Sequence, residues 1–172
     1  YKIAYERWGT IELESGELDF EDGILTGGNF VVDMTTIQVT SLEGGKKANL
    51  EKHLRSDDFF GVKQFPNATM VITRVKKTAD GYTVTGDFTI KGQTHPVIFP
   101  MTIVGNMAIA KVKIDRSKYN VRYGSDSFFD NLGNRAIYNE FDLNVTLTFK
   151  KLKAMKIDRP KCGCGNTQNP NG

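Results

Sequence analysis

Apolar and polar side chains alternate along most of this chain, with the period of two that places every second side chain on one face of a β-strand. Between Tyr82 and Ile90 the apolar row carries Tyr82, Val84, Phe88 and Ile90, and the other row carries Thr83, Thr85, Asp87 and Thr89. The same pattern recurs in Met70 and Ile72; in Val97, Phe99, Met101 and Ile103; in Ala110, Val112 and Ile114; and in Phe141, Leu143, Val145, Leu147 and Phe149. This alternation predicts a sheet with one apolar face and one polar face.

Turn-forming residues separate these runs, at Glu21-Asp22-Gly23, Ala79-Asp80-Gly81, Lys91-Gly92-Gln93 and Gly105-Asn106. Asp, Asn and Gly tolerate the positive φ of hairpin turns, so successive strands are predicted to be antiparallel neighbours. With the N-terminal segments around Ile11, Phe20 and Phe30 to Ile37 the count reaches about eight, the number at which a closed barrel can hold either its own side chains or one small ligand. The predicted fold class is therefore all-β, an antiparallel barrel of roughly eight strands.

One segment departs from the β pattern. Leu50 to Leu54 lie between Asn49, a residue type that favours the N-cap, and the cluster Ser56-Asp57-Asp58. A short helix is predicted over about 49–55. Phe59 and Phe60 follow it directly, so an apolar knob leads from the helix back toward the sheet, as either a lid or a plug.

The length of 172 residues fits one domain with one core. From about Ile157 the composition shifts to Pro, Gly, Asn, Lys and Cys without periodicity, and such a segment cannot supply a packed element. We therefore expect a single β-barrel domain over residues 1–156 and a disordered tail over 157–172.

The formal net charge of +3 comes from interleaved acidic and basic residues, so nucleic acid is not an expected partner. No apolar run approaches the roughly 18 residues that cross a bilayer, and no transmembrane segment is predicted. Both cysteines, Cys162 and Cys164, lie in the tail, which excludes a scaffold stapled by disulfides.

Candidate catalytic and metal-binding groups are sparse. His53 and His95 are the only histidines, and neither has further His or Cys residues at ligand spacing, whereas a metal site needs three or four donors. Asp57 and Asp58 are adjacent, and such pairs more often cap a turn than share a proton. Motifs of serine hydrolases, zinc proteases and phosphate-binding loops are absent from the sequence. We predict no catalytic residue, no metal and no cofactor.

The aromatic residues, eleven Phe, six Tyr and one Trp, fall largely on the predicted inner faces. Core packing explains any one of them. Together with the methionines they also give a barrel the lining of an apolar ligand site. The residues predicted to line it are Phe30, Met34, Phe59, Phe60, Met70, Phe88, Phe99, Met101, Phe128, Phe129 and Phe141.

Four stretches of the chain resemble the YceI-like family in order and spacing. They are Gly27–Ile37 (GGNFVVDMTTI), His53–Phe60 (HLRSDDFF) with Phe65-Pro66 after it, Gly86–Pro96 (GDFTIKGQTHP) and Ile114–Gly124 (IDRSKYNVRYG). The resemblance covers roughly Gly9 to Lys150. Family members usually carry an additional strand ahead of the position where this chain begins.

The resemblance implies a lipocalin-like barrel with an internal hydrophobic tunnel, located in the periplasm or secreted. It also implies binding, sequestration or transport of a polyisoprenoid or isoprenoid-quinone lipid, which would be the bound apolar partner. Two alternatives stay open: an enzyme acting on a lipid or quinone at the barrel mouth, through His53, Asp57 or Asp58, and an interaction module whose core is filled. The oligomeric state, including a homodimer, is left open by the sequence.

Overall fold

The computed structural model describes residues 6–125, Phe128 and residues 137–150. These residues form seven β-strands, one α-helix and one 3-10 helix at Arg116–Tyr119. The strands are β1 (Gly9–Glu21), β2 (Ile24–Val39), β3 (Asn67–Lys77), β4 (Tyr82–Ile90), β5 (Gln93–Val104), β6 (Met107–Asp115) and β7 (Glu140–Thr148), and the helix is α1 (Gly44–Arg55).

All strands belong to one sheet, in which each pairs in antiparallel fashion with its neighbours in sequence. β1 and β7 are the two end strands, and the rings of Phe20 and Phe149 stack with centroids 5.4 Å apart. The sheet therefore curls into a half-barrel that brings its ends together. The all-β, antiparallel prediction is confirmed.

The described residues contain seven strands rather than about eight, because Ile11 and Phe20 lie on one long strand, β1. Its pairing with β2 shifts register between Thr10 and Glu12, between Leu13 and Ser15, and between Asp19 and Phe20. Each irregularity interrupts the period of two. The interrupted alternation made one strand look like two short ones.

The predicted inner rows of β3 to β6 are confirmed. Phe99, Met101, Val112 and Ile114 are buried, and Val84 is fully covered. The predicted turns connect the strands, and two of them have the positive φ at both central residues that type I′ hairpins need. These are Asp22 and Gly23 at φ 52° and 77°, and Lys91 and Gly92 at φ 50° and 75°.

Gly28 and Gly86 lie on the inner row where the chain packs too tightly for a side chain. A Cβ on Gly28 would come within 2.5 Å of the Glu17 carbonyl oxygen on β1, and one on Gly86 within 2.8 Å of Met70 Sδ. Close approach of neighbouring elements therefore accounts for glycine at both positions.

The α-helix begins at Gly44, so the prediction of a helix over 49–55 with Asn49 as N-cap was wrong at its start. The residue before the helix, Glu43, makes no side-chain capping bond, and no residue of the helix is buried. Polar contacts with β2 hold it instead: Glu51 Oε1 accepts from the Val39 amide at 2.9 Å, and Arg55 Nη2 donates to the Ile37 carbonyl at 2.6 Å. These tertiary bonds supply what the local signals lack.

The inner face of the half-barrel is covered at one end by the loop after α1 and by the segment after β6. Phe59 and Val62 come from the first, and Tyr119 and Val121 from the second; all are buried in the same apolar core as the strands. The tail from 157 lies outside the described residues, and the division into a domain over 1–156 and a tail stays a prediction.

Candidate functional site

The two end strands of the sheet, β1 and β7, carry apolar inner rows that approach each other where Phe20 stacks on Phe149. In antiparallel pairs, directly opposite residues share a face. Leu13, Leu18 and Phe20 of β1 pair with Val32, Gly28 and Leu25 of β2, so they lie on the inner face. The inner row of β7 is the corresponding apolar row on the other end strand. We call the two rows together the seam groove, formed by Leu13, Leu18, Phe20, Phe141, Leu143, Val145, Leu147 and Phe149.

Side chains of the seam groove remain open to solvent although they are apolar. Leu13 is 40% exposed and Phe20 38% exposed, and the β7 members are only partly buried against the core. Contiguous apolar surface of this kind on a folded protein commonly marks a site for a ligand or a partner. The groove is therefore the best candidate for a binding surface among the described residues.

Aromatic pairs close the two ends of the groove. Phe20 stacks on Phe149 at one end, and at the other Phe60 meets Phe141 edge to face, with ring centroids 6.3 Å apart. From Phe141 to Phe149 the strand rises about 26 Å at roughly 3.3 Å per residue. This is close to the roughly 30 Å hydrocarbon thickness of a bilayer, so the groove has the length of a long apolar chain.

The residues predicted to line a tunnel fall into three groups. Phe60, Phe88 and Phe141 are half-buried, and Phe128 is 41% exposed with its ring 4.7 Å from the Arg122 guanidinium carbon. Phe129 lies outside the described residues. The remaining six are buried in the packed core: Phe30, Met34, Phe59, Met70, Phe99 and Met101.

Most of these side chains do come together. Met70 pairs across the sheet with both Phe30 and Phe88, and the Phe88 ring meets Phe99 at 6.1 Å. Phe59 packs on Phe60 at 5.1 Å, and Phe60 in turn reaches Phe141. The core and the seam groove are thus one continuous apolar region. Contact of any of these residues with a ligand stays a prediction.

The polar residues considered as catalytic candidates, His53, Asp57 and Asp58, lie in different environments. His53 is wedged between Phe59 and Tyr123, with ring centroids 5.7 and 4.3 Å away, and its buried Nε2 has no hydrogen-bond partner within the described part of the chain. The side chains of Asp57 and Asp58 are exposed. Within the described residues no three His, Cys, Asp or Glu side chains are grouped as metal ligands.

Lys91 ties the loop after α1 to the segment after β6. Its Nζ donates to the backbone carbonyls of Asp57 at 2.8 Å and Asn120 at 3.2 Å. Partial burial lowers the pKa of Lys91, and the negative charges of Asp57 and Asp58 oppose this shift. Lys91, in the turn between β4 and β5, therefore connects these two segments at one end of the half-barrel.

Arg116 organises the same end and was not predicted from the sequence as a buried residue. It is 3% exposed and donates to four backbone carbonyls, those of Tyr138, Val121, Tyr123 and Ile137, at 2.8 to 3.0 Å. Its guanidinium also lies over the Phe59 ring, 5.3 Å from the centroid. A charged residue at the end of a strand gives little indication of such hydrogen bonds in the sequence, because the acceptors are backbone carbonyls of residues further along the chain.

Sequence reasoning also missed the β1 wall of the seam groove. The step of five residues from Leu13 to Leu18 breaks the period of two, since β1 has a register shift between Leu13 and Ser15. Two surface depressions, of about 590 and 390 Å³, lie outside the groove. The first is lined mainly by α1, and the second by residues of β5, β6 and the 3-10 helix. No helix of the described residues is long and apolar enough to cross a membrane.

Comparison with known proteins gives one consistent family. The model of the YceI-like domain matches residues 3–149. A UPF0312 protein of Photorhabdus laumondii is 43% identical over 70 residues, which cover 41% of this chain and 36% of that protein. Protein YceI of Escherichia coli is 41% identical over 70 residues, again 41% of this chain and 36% of the relative. Each match thus spans about a third of the curated relative's length.

A solved structure shares the fold. The crystal structure of BcnA from Burkholderia cenocepacia superposes with a TM-score of 0.64 at 23% identity, covering 79% of this chain and 83% of that one. The Campylobacter jejuni YceI protein gives a TM-score of 0.58 at 16% identity and covers 88% and 92% of the two chains. At these identities the likeness concerns the fold alone.

Proposed function

Because the chain belongs to the YceI-like family, we propose that it binds a long apolar molecule of the polyisoprenoid or isoprenoid-quinone type along the seam groove. The observation that carries the proposal is the pair of half-exposed apolar rows on β1 and β7, closed at both ends by aromatic pairs. The family and its barrel-type fold are consistent with hydrophobic-ligand binding, and the isoprenoid nature of the ligand is part of the proposal.

Affinity on this account comes from apolar burial. Each methylene removed from water contributes about 0.8 kcal/mol, so a chain that fills the groove gains enough to offset its lost flexibility. Phe141 belongs to the groove and Phe60 meets it edge to face, and both are only half-buried, so these two are the predicted tunnel residues best placed to touch the ligand. Phe30 and Phe99, which are buried, would pack behind the residues that contact the ligand.

The proposed role is sequestration or transport without turnover, in the periplasm or outside the cell. An isoprenoid chain is poorly soluble in water, and a carrier that covers it allows movement between membranes. Fractionation of cells that express the protein from its natural full-length gene tests the location. Incubation of the complex followed by mass spectrometry of the ligand tests the absence of turnover, since an enzyme would change the ligand's mass.

The central test compares two neighbouring residues of β7 that point to opposite faces. Val145 lies on the groove side and Thr146 on the outer side. Val145→Glu places a charge where the chain would lie, and the cost of burying that charge should lower the co-purifying lipid by at least about tenfold. Thr146→Glu, the matched control, should leave it unchanged.

Protein for this test is purified without detergent, and bound lipid is identified by native mass spectrometry and lipid extraction. Circular dichroism and thermal melting confirm that both variants fold. Equal lipid content in Val145→Glu, Thr146→Glu and the unmodified chain would rule out the seam groove as the binding site. Extracts free of long-chain lipid in all three proteins would contradict the ligand class.

A further inference from the structure

The hairpin formed by β5 and β6 is apolar on both of its faces. Its inner row, which includes Phe99, Met101 and Ala108, is buried in the core. Its outer face carries a second apolar set, which we call the outer strip: Ile98, Pro100, Val104, Met107 and Ile109. All of these are exposed, Ile98 at 70% and Val104 at 65%. A sheet that packs on a core with one face normally carries polar residues on the other, so core packing does not account for the outer strip.

The exposure of the outer strip does not come from a missing strand. β5 pairs with β4, and β6 pairs with β7, so both strands of the hairpin lie inside the sheet. A strand added beside β1 or β7 would continue the sheet sideways and would leave this face uncovered. The outer strip is therefore a surface of the barrel wall itself.

The tip of the hairpin projects beyond the neighbouring strand β4. β4 begins at Tyr82, opposite Met101, whereas β5 continues to Val104 before it turns. The stretch from Met101 to Val104 rises about 10 Å at roughly 3.3 Å per residue. Val104 faces Met107 across the tip. Peripheral amphipathic segments enter a bilayer to a depth of about 5–10 Å, so the tip has the dimensions of a shallow membrane anchor.

Basic side chains flank the outer strip on both sides. Lys76 on β3 pairs with Thr83, which in turn pairs with Pro100, so Lys76 lies on the outer face at the base of the tip. Arg74 precedes it on the same row, and Lys111 of β6 lies on the other side. All three cations are exposed and form no ion pair among the residues that the structure describes. They are free to attract a negatively charged surface.

Acidic side chains lie away from the outer strip or on other hairpins. Asp87 and Asp142 are on the outer rows of β4 and β7, but toward the opposite end of those strands. Asp80 lies in the β3–β4 turn, and Glu21 and Asp22 lie at the β1–β2 turn. Residues 92–110 contain no Asp, Glu, Lys or Arg. The tip is thus uncharged, and the cations at its base outnumber the acidic groups on this part of the outer face.

We propose that the β5–β6 hairpin docks the protein on the surface of an anionic phospholipid bilayer, with Val104 and Met107 in the interface and Lys76 and Lys111 against the headgroups. Each basic residue near such a surface adds to the attraction. Protein interfaces are centred on Tyr, Trp and Arg, and the outer strip contains none of them, which favours a bilayer over a protein partner. The seam groove contributes no residue to this surface, so docking is independent of the ligand class.

Co-sedimentation of the full chain with vesicles tests the proposal. Vesicles of phosphatidylcholine and phosphatidylglycerol in equal parts should bind the protein at least about tenfold more tightly than phosphatidylcholine alone, and added salt should weaken this binding. Val104→Ser should lower binding about fivefold, because it removes apolar area from the interface. Val71→Ser is the matched control, since Val71 is 48% exposed on the outer face of β3 but lies opposite Asp87, away from the tip.

Charge reversal tests the cations at the base of the tip. Lys76→Glu together with Lys111→Glu should lower binding to the mixed vesicles at least about tenfold. Lys46→Glu together with Lys52→Glu changes the net charge equally, at two exposed positions of α1. This control should bind like the unmodified chain. Circular dichroism and thermal melting show whether each variant is folded.

Tryptophan fluorescence identifies the end of the molecule that docks. Trp8 is the only Trp, is 64% exposed and precedes β1, at the end of the sheet opposite to the β5–β6 tip. Val104→Trp combined with Trp8→Phe should be quenched by brominated phosphatidylcholine in the mixed vesicles, because the indole enters the interface. The unmodified chain, with Trp8 alone, should not be quenched.

Absence of binding to the mixed vesicles would overturn the proposal. Equal binding of Val104→Ser and Val71→Ser, or of the two double Glu variants, would equally contradict it. Quenching in the unmodified chain but not in the Val104→Trp variant would show that the opposite end docks. Light scattering without vesicles completes the test, because a dimer that dissociates in Val104→Ser would assign the outer strip to a second copy of the chain instead.

Discussion

The strands at the centre of the sheet and those at its ends carry similar apolar rows but bury them to different extents. On β4 to β6 the inner residues Val84, Phe99 and Ile114 are at most 2% exposed, whereas on β1 Leu13 and Phe20 remain 40% and 38% exposed. A central strand has neighbours on both sides and the curled sheet opposite it. An end strand lacks one neighbour. Apolar alternation thus identifies the face of a strand, and its position in the sheet determines how much of that face is covered.

Phe99→Ala should have the largest effect on the free energy of unfolding, because it removes a side chain from the most deeply buried part of the sheet's inner face. Its ring is 2% exposed and meets Phe88 edge to face. Removal of a buried Phe side chain typically costs about 3–5 kcal/mol, through lost burial and the cavity left behind. Urea denaturation measures the loss, and a value below about 1 kcal/mol would show that the centre of the sheet is no better packed than its ends.

Leu143→Ala, on the inner row of β7, should cost less and should affect binding more. Leu143 is only partly buried, so we expect a loss near about 1 kcal/mol, the centre of the range for point substitutions. The amount of co-purifying lipid should fall together with the apolar area of the groove. The same denaturation and lipid assays apply. A cost as large as that of Phe99→Ala would place Leu143 in the packed core instead.

Tyr119→Phe tests the burial of a core residue through the pH dependence of the protein's stability. Tyr119 is 1% exposed and its hydroxyl lies 3.5 Å from the His95 carbonyl oxygen, to which it donates. Burial, reinforced by the negative charges of Asp115 and Asp87, raises the pKa of Tyr119 from 10.0 to about 12. The neutral phenol is therefore favoured in the folded state. Its stabilising contribution is complete below pH 10.0 and is lost as the pH rises toward about 12.

The measurement is the free energy of unfolding of both proteins between neutral pH and pH 12. Near neutral pH the substitution should change stability only slightly, because a single long hydrogen bond is removed. The difference between the two proteins should shift in favour of Tyr119→Phe as the pH rises, while other groups titrate alike in both. Parallel pH profiles would show that Tyr119 is accessible to water.

Asp58→Asn should have the smallest effect. The Asp58 side chain is exposed at the end of the loop after α1, outside both the core and the seam groove. Substitutions at such sites usually stay within about 0.5 kcal/mol. Lipid content should also be unchanged. Loss of bound lipid at normal stability would instead favour the alternative of an enzyme that acts on a lipid or quinone at the barrel mouth.

The central strands could be predicted from the sequence because their information is local. Between Asn67 and Asp115 the inner rows are apolar, with one interruption between Ile72 and Arg74, and each turn carries Gly, Asp or Asn, so the hairpins follow one from another. β1 was harder, since its register shifts displace the apolar positions. The start of α1 was missed because bonds from Glu51 and Arg55 to β2, rather than a capping side chain, secure the helix.

Some residues of the candidate site could likewise be predicted from the sequence, and others could not. The aromatic and methionine residues of the core could be chosen from their inner-row positions, yet nothing in the pattern distinguished buried Phe99 from half-buried Phe88. Arg116 could not be foreseen as buried, because its acceptors at Val121 and Ile137 lie in separate loop segments that meet only in the folded chain. The family resemblance proposed from four short stretches is confirmed by the family model.

The order of the strands in the sheet also bears on how the chain folds. Since every strand pairs only with its neighbours in sequence, each pairing closes a short loop, apart from the two longer connections, between Val39 and Asn67 and between Asp115 and Glu140. Short loops cost little chain entropy, and folding rates rise as contacts become more local. We expect the β4–β5 hairpin, joined by the tight turn at Lys91 and Gly92, to form early and the sheet to grow outward from it. β1 and β7 would then be the last to join, and the first to open when the protein unfolds.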